Sequence, residues 1–384
     1  MKQSLILFTL LTSTTFFADD FAEFKKQQNT SFDKYQQKIQ SDFSQYQKAH
    51  NEAFKEFSEE LGKKWPQKDG QAETTTKNKF VEYSEDLNSK KSIDYENKKI
   101  SLEVIATSDA QAKEKIQKMF DSLLTQNVKE AYEKDLLEKK VIEKLKVKTP
   151  IVKSEEPLVA DVITPMEKQK MIDDLQQQDL IVVKHNDSFI YKANVQLPSN
   201  TTIRKAKTFK EDVIKNASTQ KVPAELIYAI MHSESSFNPM ARSHIPAYGL
   251  MQIVPKSAGI DSYLYLYNER KVLSSAYLYN SSQNITIGAA YLHILYYRYL
   301  KDIKDPQSRL YCTIAAYNTG AGNVARTFIG TNNIKNAAVN INTMSSDEVY
   351  QKLISSLPYN ETRVYLKKVN DRVSAYDQLL KTTL

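Results

Sequence analysis

Glycine and cysteine are scarce in this chain of 384 residues, which has eight of the first and one of the second. With Cys312 alone, an intrachain disulfide is excluded, so the fold must rest on its apolar core even though its N-terminus reads as an export signal. Cys312 lies in the run Tyr311–Ala316 and reads as a small buried hydrophobe. Histidine is thin as well: His50, His185, His232, His244 and His293 are scattered, without His-x-x-x-His or acidic-ligand spacing. Nothing there calls for a metal, and no cofactor motif appears. Ser235 has no glycine-flanked elbow, which argues against serine nucleophile chemistry.

Met1-Lys2 precedes an apolar run from Ser4 to Leu11 that extends to Phe17-Ala18. This reads as a signal peptide over residues 1–18, too short for a membrane span, and implies export to the periplasm. Phe16 stands where a small residue is usual before cleavage, so retention as an anchor is the alternative.

Charge is unevenly placed. Residues 201–384 hold 22 Lys/Arg against 13 Asp/Glu, and residues 1–200 hold 31 against 33. The basic excess therefore belongs to the second half, where it concentrates polyanionic partners such as a cell wall bearing peptide carboxylates. Nucleic acid is disfavoured as the polyanion, since no binding motif accompanies the charge.

At this length two or more domains are expected. Phe21/Phe24, Phe32/Tyr35, Phe43/Tyr46 and Phe54/Phe57 recur every 11 residues, with Ile39, His50 and Leu61 extending the stripe. Eleven residues over three turns fit a nearly straight helix, so residues 19–62 are predicted to form one amphipathic helix. Its aromatic edge needs a partner: the next domain of the same chain, which is favoured, another copy of the chain, or a membrane surface. Residues 63–200 read as a small α+β domain. Phe80–Ser84 and Ile93–Ile105 alternate, with a turn at Tyr95–Lys99, and helical patterns run from Asp109 to Leu145. A second hairpin is expected from Leu180–Val183 and Phe189–Leu197. No catalytic cluster stands out in this domain, which therefore reads as a positioning module. Leu197–Asn200 is the expected boundary. From Ile203 the pattern is helical, with an apolar-aromatic helix near Ile285–Leu300 whose stripe of Tyr291, Leu292, Leu295, Tyr296 and Tyr299 reads mainly as core.

Chemistry concentrates in three separated pieces. Glu234 ends an apolar helical stripe set by Ile227 and Ile230 or Met231, Gly249-Leu250-Met251-Gln252-Ile253 follows, and Ala315–Gly320 comes third. A carboxyl on such a face is costly to ionise, which keeps a proton available for donation near neutral pH. Gly249, Gly320 and Gly322 fall in or beside these pieces, which suggests positive φ or close main-chain approach there. Glycosidases commonly use two carboxylates. Here no acidic residue occurs in the 26 positions after Glu234, and Glu225 lies on the far side of the helix.

At these residues the chain resembles the lytic transglycosylases with a soluble-transglycosylase, lysozyme-like domain. Glu234-Ser235 matches the family's catalytic pair, Gly249–Gln252 its second motif, Ala316-Tyr317-Asn318 its third and Glu361–Tyr365 its closing motif. Phe80–Asn88 and Ile100–Ile105 look like the extra N-terminal domain of the murein transglycosylase C group within that family. The resemblance implies an α+β chain whose C-terminal domain, residues 201–384, is mainly α and lysozyme-like. It implies a lyase that cleaves peptidoglycan between N-acetylmuramic acid and N-acetylglucosamine, with Glu234 as single acid and base and 1,6-anhydro ends as product. It further implies substrate contacts at Ser235, Ser243, Met251, Gln252, Tyr317, Asn318 and Tyr365. Members of the C group are typically lipoproteins. This chain has no cysteine near position 18, so lipid anchoring is not carried over. An inactive wall-binding scaffold and a hydrolytic muramidase are the alternatives.

Overall fold

The computed structural model describes the backbone of residues 13–67, 72–244 and 246–382, with side chains from residue 37 onward in those ranges except residue 39. Residues 1–12 of the expected leader, and the side chains of Phe21, Phe24, Phe32, Tyr35 and Ile39, lie outside that description.

The 11-residue repeat falls in one helix, α1 (Ser13–Gly62), which starts within the expected leader. In its last turns Ala53, Phe57 and Leu61 are buried beside Trp65, in a cluster shared with the sheet and a helix of the upstream module. Earlier along α1, Lys256 Nζ sits 3.6 Å from the centre of the Phe43 ring, and the Tyr46 hydroxyl hydrogen-bonds that of Tyr248. The described part of the aromatic edge is thus covered by the chain's own two modules.

In the upstream module β1 (Lys79–Tyr83), β2 (Ser89–Asp94) and β3 (Lys99–Ile105) form an antiparallel meander. Then come α2 (Asp109–Thr125), α3 (Val128–Glu133), α4 (Leu136–Leu145) and α5 (Pro165–Gln177). The hairpin β4 (Ile181–His185) and β5 (Ser188–Gln196) returns to the sheet, and β5 pairs with β3 to give the order β1-β2-β3-β5-β4. Lys98 and Asn186 make the left-handed turns of the two hairpins, at φ 54° and 53°. Strict alternation puts Phe80, Ile93, Ile100, Leu102, Val104, Tyr191, Ala193 and Val195 on one face, packed with Ile116 and Phe120 of α2. The charges on that face are paired across strands, with Lys91 2.8 Å from Glu82. Val81, Tyr83 and Ile190 face the other way, into the cluster with Leu137 and Val141 of α4 and the end of α1. Helix α5 went unread in the sequence, although Thr164 and Glu167 close a capping box around Pro165.

The second module is helical: α6 (Thr201–Thr208), α7 (Lys210–Gln220), α8 (Ala224–Ser235), α9 (Ile260–Tyr267), α10 (Ser275–Leu278) and α11 (Ser281–Ile294), which runs on into a wide turn at Leu295–Tyr299. It is completed by α12 (Pro306–Thr319), α13 (Ala321–Ile329), α14 (Ile334–Ile341), α15 (Ser346–Ser356) and α16 (Asn360–Thr382). In α8 the run Leu226–Met231 is apolar on every side and wholly buried, which marks the helix as the central rod of the module. Along it lies α16, with the Tyr228 and Tyr376 rings stacked at 5.3 Å.

Buried charge joins the modules. Arg242 Nη1 lies 3.1 Å from Asp135 and 3.4 Å from Glu138, and Ser275 donates to Glu138 at 2.9 Å. Lys205, also buried, lies 3.0 Å from Asp161 and donates to the Pro157 carbonyl at 3.0 Å. Removing one partner of such a pair leaves the other uncompensated. Arg242→Met is therefore expected to cost about 3–5 kcal/mol, read as a lower urea midpoint. Burial already raises the Glu138 pKa against the pull of Arg242. Without the arginine the folded value rises further above the unfolded one, so the native state binds the extra proton and stability falls as pH increases through that interval. The loss should be larger at pH 8 than at pH 5; an equal loss at both would contradict this account.

Candidate active site

Glu234 is 4% exposed at the last turn of α8. Immediately beyond it, Ser236 and Phe237 take left-handed conformations at φ 50° and 64°, so the chain leaves the helix through two sterically costly residues. Ser235 holds that turn. Its hydroxyl lies 2.8 Å from the Met231 and Leu250 carbonyls, which share its one proton, and it accepts the Phe237 N–H at 3.1 Å. Ser235, for which the resemblance implied a substrate contact, is fully buried in this turn.

The second piece is a tight loop closed by reciprocal hydrogen bonds between Tyr248 and Ile253. Its key is Asn284 of α11, which the sequence did not single out. Asn284 donates to the Tyr248 and Leu278 carbonyls and accepts from the Met251 N–H, each at 2.8 Å. Met251 is fully buried over Gly288, and its carbonyl accepts the Tyr317 hydroxyl at 2.8 Å. Gln252, at φ 49°, donates to the Gly249 carbonyl, while its buried Oε1 has no partner. Ser243 is half-buried, and its N–H donates to the Ala247 carbonyl.

From α12 and α16 come the aromatic and polar walls. Asn318 accepts from Thr362 at 2.7 Å, which ties the two helices together. Tyr365, one turn on, is buried and acts on the Glu234 carboxyl, yet its hydroxyl has no well-aligned hydrogen-bond partner. Burial pushes both Tyr317 and Tyr365 far up, and the neighbouring Glu234 charge adds to it, so both hydroxyls stay protonated. His232 points elsewhere, with its Nδ1 3.1 Å from Tyr376 Oη and its pKa lowered to about 3 by burial and nearby cations.

Two charged residues complete the site, and sequence reading assigned neither a role in it. Lys77, from the segment ahead of β1, places Nζ 3.4 Å from Glu234 Oε2 and 4.0 Å from Glu361 of α16. The upstream module, expected to contribute no chemistry, thus reaches the carboxyl. Glu361 is a second carboxylate on the same ammonium, drawn in by folding from 127 positions downstream, where no scan of neighbouring sequence would find it. Burial raises the Glu234 pKa, Lys77 and Tyr365 oppose the rise, and Glu361 reinforces it.

Glycine needs differ within the pieces. Gly249 sits at φ 73°, and a Cβ there would come within 2.4 Å of the Leu278 carbonyl and Asn284 Nδ2. Gly320 needs only its φ of 85°, while Gly322 has neither positive φ nor a close neighbour. Gly249→Ala should therefore cost about 2–5 kcal/mol from backbone strain and overpacking together. Gly322→Ala, within α13, should be neutral or stabilising by up to about 1 kcal/mol. Thermal melts of the two variants check the contrast, and equal midpoints would refute it.

Comparison with known proteins accords with the motifs. Residues 211–340 match the Transglycosylase SLT domain model, a span that holds Glu234 and the first three motifs but stops short of Tyr365. The membrane-bound lytic murein transglycosylase C of Pectobacterium atrosepticum is 41% identical over 188 residues, covering 49% of this chain and 52% of that protein. The protein of the same name from Yersinia pestis is 42% identical over 193 residues, covering 50% and 52%. The chain spans about half the length of these curated relatives. The solved lytic transglycosylase Slt of Pseudomonas aeruginosa aligns with 70% of this chain and 38% of its own at 19% identity and a TM-score of 0.38, a likeness too low to carry an argument.

Proposed function

We propose that this chain is a lytic transglycosylase that cleaves the β-1,4 bond between N-acetylmuramic acid and N-acetylglucosamine in peptidoglycan. The observation that carries the reading is Glu234: a buried carboxyl with raised pKa, at the end of the central helix and inside the stretch that matches the transglycosylase domain. Protonated, it gives its proton to the bridging oxygen as the bond to C1 breaks. The resulting carboxylate then takes the proton of the muramic C6 hydroxyl as that oxygen closes on C1. The product is a 1,6-anhydro sugar, and no water is consumed. A tethered hydroxyl beside C1 has a large proximity advantage over water.

Roles for the other residues follow from their placement. Gln252 Oε1 is a buried polar atom lacking a partner, which suits it to a sugar hydroxyl, and Tyr365 orients its hydroxyl toward the Glu234 carboxyl. Ser243, by resemblance, contacts the muramic N-acetyl group. Ser235, Met251, Tyr317 and Asn318 hold the loop and the two helices that frame the carboxyl. Export to the periplasm belongs to the same proposal; among the described residues no helix is long and apolar enough to cross a membrane.

Glu361 supports a second reading. A carboxylate that shares Lys77 with Glu234 is the type of partner a hydrolase uses to activate water. Product mass separates the two, since a hydrolytic product is heavier by one water. Digestion of purified murein is expected to yield fragments ending in 1,6-anhydro-N-acetylmuramic acid. Dominant reducing-end muropeptides would reassign the chain as a muramidase, and no fragments at all would leave it a wall-binding scaffold.

Glu234→Gln keeps size and polarity but cannot donate the proton. Loss of one positioned acid typically costs about 10²–10⁴-fold, and a group that serves twice should reach the upper end. Turbidity clearing by a folded Glu234→Gln protein at near wild-type rate would remove Glu234 from the reaction.

A further inference from the structure

The upstream module reaches the carboxyl through a segment whose backbone is clamped to the loop that follows Glu234. Asn238, fully buried, donates its Nδ2 to the carbonyls of Thr76 and Lys77 at 3.3 and 3.2 Å. The Arg242 N–H donates to the Thr76 carbonyl at 3.4 Å, and the Arg242 side chain is itself locked to Asp135 and Glu138. The backbone of Thr76 and Lys77 is therefore held by hydrogen bonds to the same loop that leaves the acid. The Lys77 side chain is the cation within ion-pair distance of Glu234 among the described residues.

We propose that Lys77 completes the active site from the upstream module, stabilising the Glu234 carboxylate between its giving up one proton and taking the next. The inference rests on the transglycosylase reading for its mechanism, because only a single acid that must also act as base has to survive, buried, as an anion. On proton transfer the O–H bond of Glu234 breaks and the bridging oxygen gains the proton. The negative charge left on the carboxylate faces the ammonium at 3.4 Å. Lys77 exchanges no proton in either half of the reaction; it is a positioning residue that acts through charge. The groups that face Glu234 are Lys77 from ahead of β1, Glu361 and Tyr365 from α16, and Tyr317 from α12. Both tyrosines are neutral and Glu361 is a like charge, so Lys77 is the attractive partner. Burial lifts the Glu234 pKa and the lysine draws it back, which keeps one group serviceable as acid and base.

Lys77→Met and Lys77→Arg test this, each checked for an unchanged thermal midpoint, since Lys77 is partly exposed at the module surface. Activity needs protonated Glu234 and falls as pH rises through its pKa. Removing the cation raises that pKa, so in Lys77→Met the alkaline limb of kcat should move up by about one to three pH units. At its optimum kcat should drop about tenfold or more, with KM for soluble glycan little changed, as one pKa unit equates to a factor of ten. Lys77→Arg should restore most of both. A Lys77→Met profile coincident with wild type, or a lower kcat without a shifted limb, would overturn the proposal. Titration of the Glu234 carboxyl by ¹³C NMR, assigned with Glu234→Gln, gives a readout independent of turnover. If the wild-type protein makes no murein fragments, the transglycosylase reading fails, while the titration still decides whether Lys77 governs the Glu234 charge.

Discussion

Arg242 is the point on which the two modules depend. The residue is 4% exposed, and its guanidinium meets Asp135 and Glu138 of the upstream module while its own main chain runs in the loop between Glu234 and Gly249. Taking an arginine and two carboxylates out of water is costly unless each finds its complement, so an arrangement that separated them would be penalised. Ser275 of α10 and Tyr132 of α3 both donate to the other Glu138 oxygen, Oε1. The contact between Tyr46 and Tyr248 lies against the same cluster, which brings α1 into the arrangement. Through one buried ion group, the long helix, the sheet module and the loop behind the acid share a fixed geometry.

That geometry explains how a carboxyl can be buried and still useful. Four residues around Glu234 are held by bonds made elsewhere: Ser235 by two carbonyls, Tyr317 by the Met251 carbonyl, Asn318 by Thr362 and the Lys77 backbone by Asn238. Little reorganisation is left for the moment of reaction, which is the condition under which fixed dipoles and charges act most strongly on a developing charge. The cost appears in the backbone, at Ser236, Phe237 and Gln252, three left-handed non-glycine residues within the two loops nearest the acid. Buried side-chain atoms without partners lie in the same neighbourhood, at Ser236 and Gln252.

Much of this was legible from the chain alone. The 11-residue spacing of Phe43, Tyr46, Phe54 and Phe57 specified a single helix, because a period near 3.6 admits no other regular structure. Alternation marked the strands around Phe80, Ile100 and Tyr191 for the same kind of reason. Glu234 stood out because a carboxyl at the end of an apolar stripe contradicts its surroundings. The motif at Gly249 was readable as a backbone need, since a side chain there would collide with Leu278 and Asn284, whereas Gly322 was read the same way and carries no such need.

What only the tertiary structure decided is which distant residues share a space with the acid. Lys77 lies 157 residues before Glu234 in a stretch whose lysines look like solvated surface, and nothing in local periodicity separates it from Lys79. Glu361 was noticed as part of a motif, not as a second carboxylate facing the same ammonium. Asn284 looks like any polar residue in a helix, yet it holds three main-chain groups of one loop. Met251, at which the resemblance implied a substrate contact, is buried against Gly288, where a Cβ would meet its sulfur. Periodicity records the face a residue presents within its own element. It carries no information about which element arrives opposite, and that was settled by the docking of two modules around buried Arg242 and Lys205.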